Sequence, residues 1–162
     1  GFSNFTVSMV SALPYVAAAI GMILIGTSSD RTGERFLHIA VPSAIGAIGF
    51  IASAYFTSPL PGMIALTVAA VGDLGTRGPF WTLPTRFLTG SAAAAGICLI
   101  NTAASLGGFV GPYAVGLIRQ FTGSFAGGLV FLAMLLLLAS VAAVSLRRAR
   151  VLADEPAAAQ PL

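Results

Sequence analysis

Residues 28–35 read SSDRTGER and form a short polar stretch between two long apolar runs. Residues 5–27 before this stretch and residues 36–72 after it contain no acidic or basic side chain other than one histidine. The stretch itself holds two acidic and two basic residues around Gly33, a residue that permits a tight turn. A charged turn between two segments of bilayer length predicts a hairpin of two transmembrane helices.

The composition of the 162-residue chain is that of an integral membrane protein. The chain is 57% hydrophobic and 8% charged, with a mean hydropathy of +0.95, whereas a soluble domain has about 25% charged residues. Its net charge of +3 does not predict nucleic-acid binding, because most arginines lie at the ends of apolar runs and form no basic stripe. One cysteine and one histidine exclude a disulfide framework and a Cys/His zinc cluster, and no metal or cofactor is expected.

Five segments are long and apolar enough to cross a bilayer, and none shows the alternation that a membrane barrel requires. Backbone groups in hydrocarbon must be satisfied within the segment, so the expected fold class is an all-α membrane protein. The sequence predicts a helical bundle over residues 1–146 and a disordered cytoplasmic tail over residues 147–162. The predicted helices are residues 5–28, 37–56, 60–84, 89–118 and 123–146.

The arginines outside the segments predict the orientation. The first turn, the third turn and the tail hold six arginines between them, and the second and fourth turns hold one. By the positive-inside rule the arginine-rich regions are cytoplasmic, so the N-terminus is outside and the C-terminus is in the cytoplasm. The expected location is the inner (plasma) membrane, with several crossings.

Two ionisable residues lie inside the third segment. Asp73 and Arg77 are spaced i, i+4, so a continuous helix would place them on one face where they can pair. Such residues in membranes usually face a bundle interior or a water-filled cavity. Two interpretations follow: a cavity wall that meets an anionic substrate, or a self-neutralising pair that packs the bundle. Tyr15 in the first segment either faces the same cavity or packs against a neighbour.

Small residues are frequent in the segments, and Gly107-x-x-x-Gly111 is the clearest spacing among them. This spacing puts both glycines on one helix face, where a second backbone can approach closely. Ordinary packing of membrane helices uses glycine in the same way. The spacing therefore predicts a tight contact between two helices, but it does not distinguish static packing from helices that slide or rock.

The polar stretch together with Gly26 resembles the cytoplasmic loop signature of the major facilitator superfamily, Gly-x-x-x-Asp-Arg-x-Gly-basic-basic. Glu34 departs from this signature, which has a basic residue at that position. Three further stretches are similar to the anion:cation symporter branch of the superfamily, which includes tartrate, phthalate and sugar-acid transporters. They are ALPY at residues 12–15, GPFWTLPT at residues 78–85 and GGFVGPY at residues 107–113.

The resemblance implies that the five segments are helices 8 to 12 of a twelve-helix transporter, so that the chain, which begins at Gly1, is a C-terminal fragment. It implies alternating-access transport of a small organic anion, coupled to protons, with the N-terminal half as partner. Trp81 and Asn101 match substrate-site positions of related sugar-acid transporters, and Arg77 and Tyr15 are the other candidates for substrate contact. The resemblance also implies a cytoplasmic gate loop formed by Asp30, Arg31, Gly33 and Arg35.

The residues alone leave a second function open. Five glycine-rich helices are also compatible with a channel or with a structural subunit of a membrane complex. An intramembrane enzyme is not expected, because the chain has no paired Asp motif, no metal constellation and no Ser/His arrangement, and no catalytic residue is assigned. The packing role remains the alternative for Trp81, and an inter-helix hydrogen bond is the alternative for Asn101.

Overall fold

The computed structural model describes the backbone of residues 4–158 and the side chains of residues 8–86 and 88–150. Regular structure within that part is helical throughout, which confirms the expected all-α fold. The helices are α1 Asn4–Thr32, α2 Phe36–Tyr55, α3 Pro59–Gly75, α4 Arg77–Trp81, α5 Pro84–Phe87, α6 Gly90–Thr122 and α7 Ala126–Ala158.

Five stretches of these helices are long and apolar enough to span a membrane, as the sequence predicts. They are Ser8–Thr32, Phe36–Tyr55, Pro59–Arg86, Gly90–Thr122 and Ala126–Arg150. Large apolar side chains such as Ile23, Ile48 and Leu138 are more than half exposed. Exposed apolar surface of this extent fits a lipid environment, which makes the chain a multi-pass membrane protein.

The ends of the segments differ from the sequence expectation in a consistent way. Helix α1 continues through Asp30 and Arg31 to Thr32, so the turn is only residues 33–35, where a loop over residues 29–36 is expected. Helix α6 likewise continues through Arg119 to Thr122. An apolar run marks the part of a helix that lies in hydrocarbon, whereas the helix itself can extend by a polar turn beyond that boundary.

The last helix also extends beyond its expected boundary. The backbone is helical from residue 147 to Ala158, where the sequence predicts a disordered tail, and residues 159–162 lie outside the described residues. The stretch that follows Leu146 is rich in arginine and alanine, both strong helix formers. Helix propensity therefore accounts for the extension, which the polar composition alone did not indicate.

The third span is broken into α3, α4 and α5. Helix α3 ends at Gly75, and Thr76, with φ −74° and ψ −16°, connects it to α4. The Thr76 hydroxyl donates to the carbonyl oxygen of Asp73 at 2.8 Å. Gly78 and Pro79 follow at once, and Pro84 begins α5, so the residues that weaken or interrupt a helix are concentrated here.

Helix α2 lies at the centre of the packing, against α3 on one side and α7 on the other. A Cβ added to Gly72 of α3 would lie 2.5 Å from the Cα of Gly46 in α2, so the two backbones touch. A Cβ added to Gly49 would likewise lie 2.7 Å from the backbone nitrogen of Ala69 in α3. On the other side, the Ser140 hydroxyl of α7 donates to the carbonyl oxygen of Ala40 at 2.8 Å.

Helix α6 is the least covered helix of the chain. Within the described side chains it has no buried residue, and it packs mainly against α7. A Cβ on Gly107 or Gly111 would meet no atom within 4 Å, so the tight contact predicted for this spacing is not made within the chain. The close approaches occur instead at Gly46, Gly49 and Gly72.

Candidate functional site

A cavity of about 530 Å³ lies between α1, α2 and the broken third span. Its polar lining comes from Ser11 and Tyr15 of α1, Asp73 of α3 and Arg77 of α4, and apolar side chains such as Phe50 complete the wall. Three of the sequence candidates, Tyr15, Asp73 and Arg77, therefore line one cavity. A mostly apolar cavity with a few convergent polar groups is the usual form of a small-molecule site.

Asp73 near the end of α3 and Arg77 at the start of α4 flank the junction at Thr76. The backbone of Thr76 stays in the right-handed helical region, with φ −74° and ψ −16°. Asp73 and Arg77 form no ion pair with each other in the described part of the chain, and both line the cavity. The expected self-neutralising pair is therefore not made. Arg77 is exposed, and its guanidinium is available to an anion in the cavity.

Tyr15 lies on α1 directly after Pro14, and both line the cavity. The Tyr15 side chain is 69% exposed. Its hydroxyl can both donate and accept a hydrogen bond. The face of α1 that carries Tyr15 one turn after Ser11 thus presents two hydroxyl groups to the same space as Asp73 and Arg77.

Trp81 and Asn101 lie outside this cavity. Trp81 ends α4, is 37% exposed, and packs edge to face on Phe80 with ring centroids 5.6 Å apart. Asn101 lies on the exposed helix α6, where its backbone carbonyl oxygen accepts a hydrogen bond from the Ser105 hydroxyl at 2.9 Å. The structure thus brings Tyr15 and Arg77 together and leaves Trp81 and Asn101 apart from them. Substrate contact by Trp81 and Asn101 stays a prediction.

Sequence reasoning missed most of the cavity wall, including Ser11 and Phe50. Ser11 lies one helical turn before Tyr15, so the i, i+4 spacing within α1 could have found it. Phe50 comes from α2, and no local pattern indicates which face of α2 meets the cavity. Among the described residues no group of three His, Cys, Asp or Glu side chains comes close enough to hold a metal ion.

Two of the expected gate residues, Asp30 and Arg35, form a compact network with Ser29 at the turn between α1 and α2. Arg31 lies in the last turn of α1. Arg35 Nη1 lies 2.5 Å from Asp30 Oδ1 and 3.0 Å from the hydroxyl of the fully buried Ser29. The Ser29 hydroxyl in turn donates to the carbonyl oxygen of Glu34 at 2.9 Å. Gly33 has φ +70°, a conformation that glycine adopts without strain. Charged and buried polar groups thus hold this turn in one shape.

The same end of the bundle gathers most of the arginines. Beside the turn with Arg31 and Arg35, a polar pocket is lined by Arg86, Arg147 and Arg150. The first turn, the third turn and the end of the last span thus lie on one side, as the charge count requires of five crossings.

No protein-family model and no solved structure matches the chain. Several curated relatives do, among them the following three. A putative tartrate transporter of Agrobacterium vitis is 44% identical over 91% of the chain and 33% of its own length. A quinolone resistance transporter of Acinetobacter baumannii is 42% identical over 85% of the chain and 32% of its own length. The inner membrane transport protein RhmT of Escherichia coli (strain K12) is 38% identical over 93% of the chain and 35% of its own length.

These relatives are all named as transporters, and their similarity covers 85% to 93% of the chain. The chain belongs to the major facilitator superfamily. It spans about a third of the length of the superfamily relatives it matches. The relatives are named as transporters and not as enzymes.

Proposed function

We propose that the chain supplies one part of a secondary transporter that carries a small organic anion across the inner membrane by alternating access. The observation that carries this proposal is the cavity between α1, α2 and the third span, where Tyr15 and Arg77 face the same space. Its volume of about 530 Å³ suits a ligand of metabolite size. The relative named as a putative tartrate transporter supports a carboxylate as the substrate.

The lining of the cavity favours a hydroxylated carboxylate. The planar guanidinium of Arg77 can hold a carboxylate through two parallel hydrogen bonds. Asp73 and Tyr15 can each accept a hydrogen bond from a substrate hydroxyl. The negative charge of Asp73 disfavours a second substrate carboxylate beside it. A sugar acid or a hydroxy acid with one carboxylate near Arg77 meets both requirements.

The remaining parts of the transport cycle belong to segments beyond the chain. We place the five spans as helices 8 to 12 of a twelve-helix transporter, with the C-terminus in the cytoplasm. Alternating access then requires a second helical half that rocks against this one around a central site, and proton coupling is assigned to that half. The uncovered face of α6, which carries Asn101, is the surface expected to meet that half. The isolated chain is accordingly expected not to transport.

The test is uptake by proteoliposomes that contain the complete protein encoded with this chain. Labelled tartrate, a sugar acid and a quinolone are offered in parallel, because relatives are named for tartrate and for quinolone resistance. Saturable uptake of an organic anion that rises with an inward proton gradient supports the proposal. Arg77→Gln should lower the affinity for the anion, whereas the matched Arg119→Gln, outside the cavity, should not.

The same measurements separate the alternatives. Conduction without saturation favours a channel, and uptake of the quinolone without any anion would overturn the assignment of substrate class. Measurable anion uptake by the isolated 162-residue chain would overturn the requirement for a second half.

A further inference from the structure

A second cavity, of about 350 Å³, lies at the end of the bundle that holds the charged turn. None of its lining residues lines the cavity of Tyr15 and Arg77. Its lining is polar, apart from the nearly buried ring of Phe36. The polar side chains are those of Thr32, Glu34, Arg86, Arg147 and Arg150, and Gly33 completes the lining.

The position of this pocket relative to the bilayer follows from the spans. Thr32, Arg86 and Arg150 are each the last residue of a membrane span, and Phe36 is the first residue of another. The pocket therefore lies at the depth where hydrocarbon gives way to lipid headgroups. Four separate spans contribute to its lining, so the pocket is a feature of the folded bundle and not of one loop.

The charges of the lining favour an anion with several acceptor oxygens. Among the described lining residues, three arginines accompany one carboxylate, that of Glu34. Glu34 contacts Arg147 through Nε at 2.9 Å, which leaves the terminal nitrogens of that guanidinium for another acceptor. The Arg86 side chain forms no hydrogen bond or ion pair in the described part of the chain. The Arg86 and Arg147 guanidinium groups can thus donate together to one ligand.

We infer that this pocket is a binding site for a phosphate group at the membrane surface. A phosphate offers tetrahedral acceptor oxygens to guanidinium groups that approach from different helices, and arginine binds it bidentately. A basic pocket between transmembrane helices at headgroup depth is the setting in which anionic phospholipids are bound. The inference does not depend on the transported substrate, because the two cavities share no residue.

Two sources can supply the phosphate: the headgroup of an anionic phospholipid, or free phosphate in solution. Binding is measured on the complete, detergent-purified protein by native mass spectrometry. The protein is titrated with phosphatidylglycerol in one arm and with phosphatidylcholine in another. A third arm adds inorganic phosphate to the phosphatidylglycerol complex. Preferential retention of phosphatidylglycerol that inorganic phosphate does not displace assigns the site to lipid, and displacement assigns it to free phosphate.

The matched variants are Arg86→Gln and Arg148→Gln. Each removes one positive charge near the same end of the bundle, but Arg148 does not line the pocket. Loss of one charged hydrogen-bond donor should weaken phosphatidylglycerol binding about ten-fold in Arg86→Gln, with little change in Arg148→Gln. Arg86→Lys, which keeps the charge without the planar donors, should bind with intermediate affinity.

Equal weakening by Arg86→Gln and Arg148→Gln would mean that the lipid responds only to overall charge, which overturns the site. Equal retention of phosphatidylglycerol and phosphatidylcholine, with no effect of inorganic phosphate, overturns it as well. Unfolding temperatures of the variants distinguish lost binding from lost folding.

Discussion

Glu34 Oε1 accepts a hydrogen bond from Arg147 Nε at 2.9 Å and so joins the turn after α1 to the end of the last span. The same oxygen lies 3.4 Å from the backbone nitrogen of Leu37, in the first turn of α2. The superfamily signature has a basic residue at this position. In this chain such a residue would face both Arg147 and the positive end of the α2 dipole. The ion pair with Arg147 therefore explains why this chain has Glu34 where the superfamily signature has a basic residue.

We predict that Glu34→Lys, which restores the superfamily signature, lowers the stability of this protein. Removing the pair with Glu34→Gln should cost about 0.5–1 kcal/mol, since both side chains are partly exposed. The charge reversal should cost more, because it opposes Arg147 and the helix end. The measurement is the thermal midpoint in detergent. Adding Arg147→Glu to Glu34→Lys should recover part of the loss, and no recovery would show that the pair itself contributes nothing.

We predict that Gly72→Ala destabilises the bundle by about 1–3 kcal/mol through overpacking. The new methyl would lie 2.5 Å from both the Cα of Gly46 and the carbonyl oxygen of Pro42, and neither backbone atom can move alone. The matched control is Gly62→Ala on the same helix, where a Cβ meets no atom within 4 Å. Gly62→Ala should be neutral or stabilising. Thermal midpoints that fall equally in both variants would contradict the close approach of α2 and α3.

Tyr15→Phe should raise the KM for the transported anion with little change in folding. The hydroxyl lines the cavity, and loss of one neutral hydrogen bond corresponds to a change of about two- to ten-fold in affinity. Tyr55→Phe serves as control, because Tyr55 is also well exposed but does not line the cavity. Concentration-dependent uptake by the complete protein gives both values. An unchanged KM in Tyr15→Phe would remove Tyr15 from the substrate site.

Asn101→Ala should leave the thermal midpoint of the bundle unchanged while it lowers substrate affinity in the complete protein. The side chain is exposed on α6 and has no structural partner among the described residues. Ser105→Ala, one turn further along the same helix, is the control for a general effect of changing α6. If Asn101→Ala lowers stability and leaves affinity intact, the residue packs against another helix and does not bind substrate.

Much of the architecture could be predicted from the sequence because a bilayer demands long apolar helices. The five spans and the charged turn at Gly33 follow from this demand. The interruption at Thr76 did not, since hydropathy averages over a single residue, although Gly75, Gly78 and Pro79 cluster around it.

The candidate site could be predicted only where a polar residue stands out inside an apolar run. Tyr15, Asp73 and Arg77 did so, and all three line the cavity. The partner of Glu34 could not be found, because Arg147 lies 113 residues away and nothing local specifies which helix end meets the turn. The contact expected at Gly107 is not made among the described residues, because glycine spacing indicates a face suited to close packing but not the helix that covers it.

The contact between Gly46 and Gly72 also limits how the molecule can move. Two helices whose backbones touch cannot slide past each other without first separating, because no flexible side chain lies between them to adjust. Helices α2 and α3 should therefore travel as one rigid unit through any change of conformation. Bending of the helices is then expected where the packing is looser, at Thr76 between Asp73 and Arg77 or along α6. The absence of side chains at Gly46 and Gly72 thus limits which helices of the bundle can move relative to each other.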